Sequence, residues 1–210
     1  MKRRTFALAG AALGLPALWA LPAHAQSGKG YTELKTAVPM DVGAGQVEVI
    51  EFFSYGCIHC KNFEPIFKAW KEVAPDYIKV RMVHVGFSPQ FEPLQRIYYT
   101  LDAMGDLDKA HSQIFTAVID QRKRVDQMDV LLPLVADLGV DRDKFESIYK
   151  SFGVATQLRR AAQLQDAYQV EGTPALGIAG RYYTDGSLAG GFERMLQLTN
   201  QLTEQERQRT

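Results

Sequence analysis

The chain has 210 residues, with 24 basic and 24 acidic side chains that cancel to a formal net charge of zero, and 46% of its residues are hydrophobic. That balance gives no electrostatic case for nucleic acid or an anionic lipid surface as a partner. It also leaves length enough for one domain, or one domain with a sizeable insertion.

The N-terminus, "MKRRTFALAGAALGLPALWALPAHAQ", sets a positive stretch (Lys2, Arg3, Arg4) before the mostly apolar run Phe6–Ala20 and the small-x-small pattern Ala23-His24-Ala25. That order predicts a secretory signal peptide over residues 1–25, removed after Ala25. A membrane anchor would need about 20 uninterrupted apolar residues, and Pro16 and Pro22 break this run. Removal takes three positive charges and leaves 185 of the 210 residues at a formal charge of −3. No later segment is long and apolar enough to span a bilayer, so the expected product is an exported protein in an oxidising compartment where disulfides persist.

Residues 46–55, "QVEVIEFFSY", are β-branched and aromatic, and glycines bound them on either side. They read as a buried strand, with Val47, Val49, Glu51 and Phe53 on one face and Ile50 and Phe52 on the other. Glu51 is therefore a candidate buried acid, its pKa raised by desolvation, six residues before Cys57. The period then changes: Cys60, Phe63, Phe67 and Trp70 form the inward stripe of an amphipathic helix, in which Pro65 predicts a kink.

Cys57 and Cys60 are the only cysteines. As a structural staple they would close almost no loop and so constrain the unfolded chain little. A structural zinc site usually needs four ligands; Cys57, His59 and Cys60 are local, and His84 and His111 stand alone, each read as a packed or surface histidine. Redox chemistry fits best. Cys57 falls at the first helical turn, where free N–H groups and the macrodipole favour a thiolate, and a protonated His59 would add to this. Cys60, one turn in on the apolar stripe, is expected to be shielded.

Residues 77–87 read as the next strand. Helical spacing then recurs over 93–104, 107–121, 127–138, 141–151 and 154–168, punctuated by Gly105, the polar stretch 122–126 and Gly139. Five helices in a row exceed the crossover of one βαβ unit, so a helical insertion within an α/β domain is expected. Tyr98 and Tyr99 are expected in the core. "ALGIAGRYYTD" (175–185) reads as a hairpin turning at Ala179-Gly180, and 190–203 as a final helix with a fraying polar tail.

"EFFSYGCIHCKNFE", "VHVGF" (83–87) and "VEGTPA" (170–175) together resemble the DsbA family of bacterial periplasmic thiol:disulfide oxidoreductases, within the thioredoxin superfamily, from about Tyr31 to Leu202. The resemblance implies an α/β thioredoxin fold with an inserted all-helical subdomain: a first thioredoxin-like part at 26–88, the insertion at 89–151, and a second part with the cis-proline loop and C-terminal helix at 152–210. It makes Cys57 the nucleophile, Cys60 the resolving cysteine, Ile58 and His59 the tuning dipeptide, Glu51 the buried acid and Glu64 a second acid. Thr173-Pro174 becomes the cis-proline loop, which would present the Thr173 backbone to an extended substrate peptide. Ile58 stands where many members have proline, Gly56 where some have an aromatic, and Thr173 where some have an aliphatic. Ile58 keeps its N–H, and Gly56 is expected to loosen the turn.

The implied reaction donates the Cys57–Cys60 disulfide to reduced exported proteins through a mixed disulfide at Cys57. A DsbB-like quinone-linked membrane protein then reoxidises the dithiol. No cofactor or metal is expected, and the protein is expected to be a monomer. A thiol pKa about two units below ambient pH would favour the reduced form by about 2.7 kcal/mol, roughly 60 mV. Two alternatives stay open: a reductase or isomerase on the same fold, distinguished by equilibration with glutathione, and a non-catalytic metal-binding or chaperone-like protein, distinguished by Cys57→Ser. An isomerase would need an association domain, and the redox strand begins about twenty residues after the cleavage point, leaving no space for one.

Overall fold

The computed structural model describes residues 28–209. The expected signal peptide lies outside them. Five strands form one sheet in the order β1-β5-β4-β2-β3. The central β2 (Val47–Phe53) is buried at every position. It runs parallel to β3 (Ile78–His84) and antiparallel to β4 (Ala175–Ile178). β5 (Tyr182–Asp185) pairs with β4, and a short β1 (Thr32–Glu33) pairs with β5. β1 was not anticipated, since two residues carry no periodicity.

The hairpin turns where expected. Ala179 and Gly180 have φ of 54° and 65°, both left-handed as in a type I′ turn, and Arg181 N–H donates back to the Ile178 carbonyl at 2.9 Å. Gly180 also has no room for a side chain: a Cβ there would lie 1.9 Å from the Val38 carbonyl oxygen.

α1 (Ile58–Val73) joins β2 to β3 and runs through Pro65 without interruption. Between β3 and β4 lie α2 (Glu92–Met104), α3 (Leu107–Phe115), α4 (Met128–Asp137), α5 (Arg142–Tyr149) and α6 (Phe152–Ala167). The helix expected over 107–121 leaves α-geometry at Phe115 and finishes as a π-helical turn, Thr116–Asp120. The helix expected over 141–151 stops at Tyr149, because Ser151 caps α6 by accepting from Val154 N–H at 3.2 Å. α7 (Gly186–Ala189) and α8 (Phe192–Arg207) complete the chain.

The polar tail of α8 does not fray at residue 203. Tyr182 donates to Glu206 at 2.7 Å, Arg209 pairs with the same carboxylate at 2.7 Å, and Tyr77 donates to Glu204 at 3.1 Å. These contacts give the last turn tertiary partners that its composition does not advertise.

Two apolar clusters flank the sheet. Val47, Val49, Phe63, Phe67, Trp70, Met195 and Leu202 form one, under α1 and α8. Ile50, Phe52, Tyr98, Leu101 and Phe145 belong to the other, which the helical segment supplies. Phe53, expected beside Val47 and Val49, joins the second cluster instead, because at the end of β2 its ring meets Tyr98, His111 and Phe115. Tyr98 and Tyr99 are both buried. No helix among the described residues is long and apolar enough to cross a membrane.

Candidate active site

The C-terminal end of β2 delivers the chain into a turn, Ser54–Cys57, that starts α1. The Ser54 carbonyl accepts from Cys57 N–H at 3.0 Å and its hydroxyl accepts from Gly56 N–H at 3.2 Å. Gly56 lies outside the left-handed region, and these two hydrogen bonds brace the turn. Cys57 is the N-cap of α1: its backbone is extended, and its Sγ accepts from Cys60 N–H at 3.3 Å. A sulfur takes here the place a serine or aspartate oxygen holds in ordinary caps, against N–H groups with no intrahelical partner.

Both cysteines carry free thiols, and their surroundings differ. Cys57 is half-buried and Cys60 is fully buried among Phe52, Phe53 and Tyr55 of the second cluster. The hydrogen bond from the Cys60 thiol, followed by those from the Thr173 side chain and the Cys60 and His59 N–H groups, holds Cys57 down at about 5 against partial burial. Burial, reinforced by the neighbouring Cys57 sulfur, pushes the Cys60 thiol well above the usual range. One proton between two sulfurs is thus assigned to the inner one, and the outer one is the nucleophile and the better leaving group.

The Thr173–Pro174 bond is cis, and the Thr173 carbonyl accepts from Cys57 Sγ at 3.3 Å. This contact favours the protonated thiol, so it weakens as the thiolate forms. Ile58 and His59 are exposed beside the sulfur. A groove of about 380 Å3, lined by His59, Thr173, Pro174, Gly186, Ser187 and Phe192, runs away from it.

Glu51 lies beneath, 2% exposed and in register with Met82 on β3. Desolvation raises its pKa to about 8, opposed by the charge of Lys71 and aided by that of Glu64. Glu64 accepts from the Ser112 hydroxyl at 2.9 Å and lines the same cavity as Glu51.

Sequence reasoning passed over a buried polar chain behind these groups. His84 Nε2 accepts from Tyr55 N–H at 2.9 Å and its Nδ1 lies 3.0 Å from the Val85 carbonyl. The Tyr55 hydroxyl lies 2.9 Å from His111 Nδ1. Burial lowers His84 to about 3 and His111 to about 4. The available signal was slight: His84 stands in the apolar run Met82-Val83-His84-Val85 of a strand, and His111 shares a helical face with Leu107, Ile114 and Phe115.

A DSBA-like thioredoxin domain model matches residues 48–203. The thiol:disulfide interchange protein DsbA of Bordetella pertussis is 39% identical over 210 residues, covering 99% of this chain and all of that protein. The corresponding protein of Azotobacter vinelandii is 38% identical over 196 residues, 93% of this chain and 91% of its own. Among solved structures, Pseudomonas aeruginosa DsbA superposes with a TM-score of 0.81 at 35% identity, over 86% of this chain and 93% of that one. Reduced DsbA1 from Neisseria meningitidis gives 0.75 at 27% identity, over 90% and 98%. The asymmetric cysteine pair at a helix N-terminus, the cis-proline beside it and these likenesses agree: the chain belongs to the DsbA family of thioredoxin-fold thiol:disulfide oxidoreductases.

Proposed function

We propose that this oxidoreductase works in the periplasm as a dithiol oxidase for reduced exported proteins, after loss of residues 1–25. The observation that carries the reading is the opposed placement of its two sulfurs: Cys57 is half-exposed at the helix N-cap and accepts from Cys60 N–H, and Cys60 is fully buried. A substrate thiolate attacks Cys57 Sγ of the disulfide; the substrate–Cys57 bond forms, the Cys57–Cys60 bond breaks, and Cys60 leaves with the electron pair. Because the Cys60 thiol is basic, it takes a proton at once, and the buried Glu51 carboxyl, which holds its proton up to about pH 8, is the group assigned to supply it. A second substrate thiolate then attacks the substrate sulfur and expels Cys57 as a stable thiolate. The substrate leaves oxidised and the protein leaves reduced.

In this reading Thr173 and Pro174 receive the substrate backbone as an added strand, with His59 and Ile58 bordering the sulfur and tuning it. Glu64 acts with Glu51 on the proton side. The thioredoxin-like parts are 26–88 and 152–210, with 89–151 inserted between them. The protein acts as a monomer, needs no cofactor beyond its own disulfide, and is reoxidised by a quinone-linked membrane partner of the DsbB type.

The test is oxidation of a reduced, unfolded secretory protein by the disulfide form. Cys57→Ser should abolish transfer, and Cys60→Ser should accumulate a mixed disulfide through Cys57. Full transfer by Cys57→Ser would refute the assignment, and a disulfide no easier to reduce than thioredoxin's in glutathione buffers would make the protein a reductase.

A further inference from the structure

A basic loop is tied to the first turn of the active-site helix. α3 runs into the π-helical turn Thr116–Asp120, and Arg122, Lys123 and Arg124 follow it, all exposed. The Asp120 carboxylate pairs with Lys61. Lys61 lies one turn past the nucleophile, its N–H donating to the Cys57 carbonyl at 3.1 Å. Ahead of the π turn, the Phe115 ring meets Tyr55, two residues before Cys57, at 5.0 Å between centroids. The loop therefore flanks the site from the side of the helices between β3 and β4, whereas the groove beside Thr173 and Pro174 is bordered by Phe192 of α8.

The loop has a fixed shape. Gln121 N–H donates to the Thr116 carbonyl at 3.0 Å, and Lys123 N–H to the Ala117 carbonyl at 2.9 Å. Val125, 3% exposed, pins its far end in the core. Arg122 holds a φ of 51°, a left-handed backbone that is unfavourable for a residue with a Cβ. The charges are unevenly matched. Arg124 donates twice to Asp126, at 2.8 and 3.0 Å, and Asp120 is taken by Lys61. Arg122 and Lys123 make no ion pair among the described residues.

We propose that Arg122 and Lys123 dock acidic segments of the substrate, so that cysteines with carboxylates four or five residues away on one side are oxidised fastest. The inference rests on the reading of reduced polypeptides as substrates, and it names the class among them that this chain prefers. An extended chain advances about 3.3 Å per residue, which puts such a carboxylate about 13–17 Å from the reacting sulfur. A loop one helical turn and one ion pair away from Cys57 lies within that reach. Acidic neighbours also hold a substrate thiol protonated by like-charge repulsion. Cations that meet those carboxylates relieve the repulsion and free the thiolate for attack on Cys57.

The net charge of the protein acts in the opposite direction. Without residues 1–25 it is −3, so a uniform field would slow an acidic peptide, and a faster reaction has to come from a local patch. Two unpaired cations are too few to hold a folded domain on an anionic membrane, which favours a peptide as the occupant.

The experiment mixes the disulfide form of the protein with excess reduced two-cysteine peptides. Each turnover leaves the peptide with one disulfide and the protein with two thiols, counted after acid quenching and alkylation. Three peptides differ only in an aspartate pair four and five residues before the first cysteine, the same pair after the last cysteine, or asparagines at all four places. Ionic strength is set at about 0.01 and 1 M, where charges act over about 30 and 3 Å. One acidic peptide should react about tenfold faster than the asparagine peptide at low salt and about equally at high salt. The other should gain nothing. Arg122→Asn/Lys123→Gln, with asparagine chosen because it tolerates the left-handed backbone, should bring the low-salt ratio close to one. Arg142→Gln/Lys144→Gln, which removes the same charge from α5, should keep it. Equal rates for the three peptides with wild-type protein would overturn the proposal without any variant, as would equal gains for both acidic peptides. A ratio that survives Arg122→Asn/Lys123→Gln would place the patch elsewhere and overturn it too. Salt-sensitive binding to anionic phospholipid vesicles that this variant loses, with no preference among peptides, would assign the two cations to a membrane surface instead. Failure to oxidise even the asparagine peptide would sink the oxidase reading itself.

Discussion

The two sides of the active-site helix bury different chemistry. Toward α8, Phe63 stacks on Phe67 with ring centroids 5.2 Å apart and Phe67 on Trp70 at 5.3 Å, closed by a hydrogen bond from Trp70 to Asn200 at 2.9 Å. Toward the helical insertion, the Phe53 ring is surrounded at 4.9–5.5 Å by His84, Tyr98, His111 and Tyr55. The first side holds α1 on the sheet by area removed from water and aromatic packing. The second side holds the helices between β3 and β4 on the sheet with groups that can gain or lose protons. The fold is thus anchored by a pH-indifferent half and joined to proton chemistry through the other.

Acid should separate the halves most strongly. His84 and His111 are held at about 3 and 4, below the 6.5 of an ordinary histidine. Their folded values are depressed, so the native state is favoured fully above pH 6.5, loses ground as pH falls below 6.5, and stops losing it only at about 4 for His111 and about 3 for His84. Each histidine removes about 1.4 kcal/mol per pH unit in that window, or about 5 kcal/mol for the pair by pH 4.5. Urea unfolding of Glu51→Gln from pH 7 to 4.5 should show this slope, since that variant lacks the opposite trend of the carboxyl. A flat profile would mean that the histidines are solvated in the native state.

Trp70→Ala should cost about 3–5 kcal/mol, nearly the same at pH 5 and pH 8, and leave the acidity of Cys57 where it was. Such a loss confined to one pH range would break the distinction between the two halves.

Glu51→Gln should change stability by about 3 kcal/mol at pH 7, as a gain. The folded pKa of about 8 exceeds the ordinary 4.5, so the carboxyl's contribution is complete below pH 4.5 and is lost as pH rises through 8. The variant's advantage should therefore vanish near pH 4 and level off above pH 8, while its thiol exchange slows. An advantage independent of pH would show that packing, not ionisation, sets it.

How much of this was legible differs between the halves for a physical reason. Phe63, Phe67 and Trp70 announce themselves by 3–4 spacing on one helix, and the burial of Cys60 follows from the same stripe, although it packs into the other cluster. Cys57 at the helix start follows from local geometry as well. Tyr55 and His111 are 56 residues apart, and no periodicity links them. They meet because the helices between β3 and β4 fold back onto the end of β2, and only tertiary packing decides that. Glu51 lies between these cases: its burial follows from the strand pattern, but the cavity it shares with His111 does not. The helical tail to Arg207 was hidden likewise, since Tyr182 of β5 and Tyr77 ahead of β3 supply its partners.

The most direct test of the central claim is the ultraviolet absorbance of the Cys57 thiolate in the reduced protein, titrated from pH 3 to 10, with Cys57→Ser as the blank. A single transition near pH 5, with no second thiolate appearing by pH 10, is the predicted result. A transition near pH 9, the range of an ordinary cysteine, would contradict it.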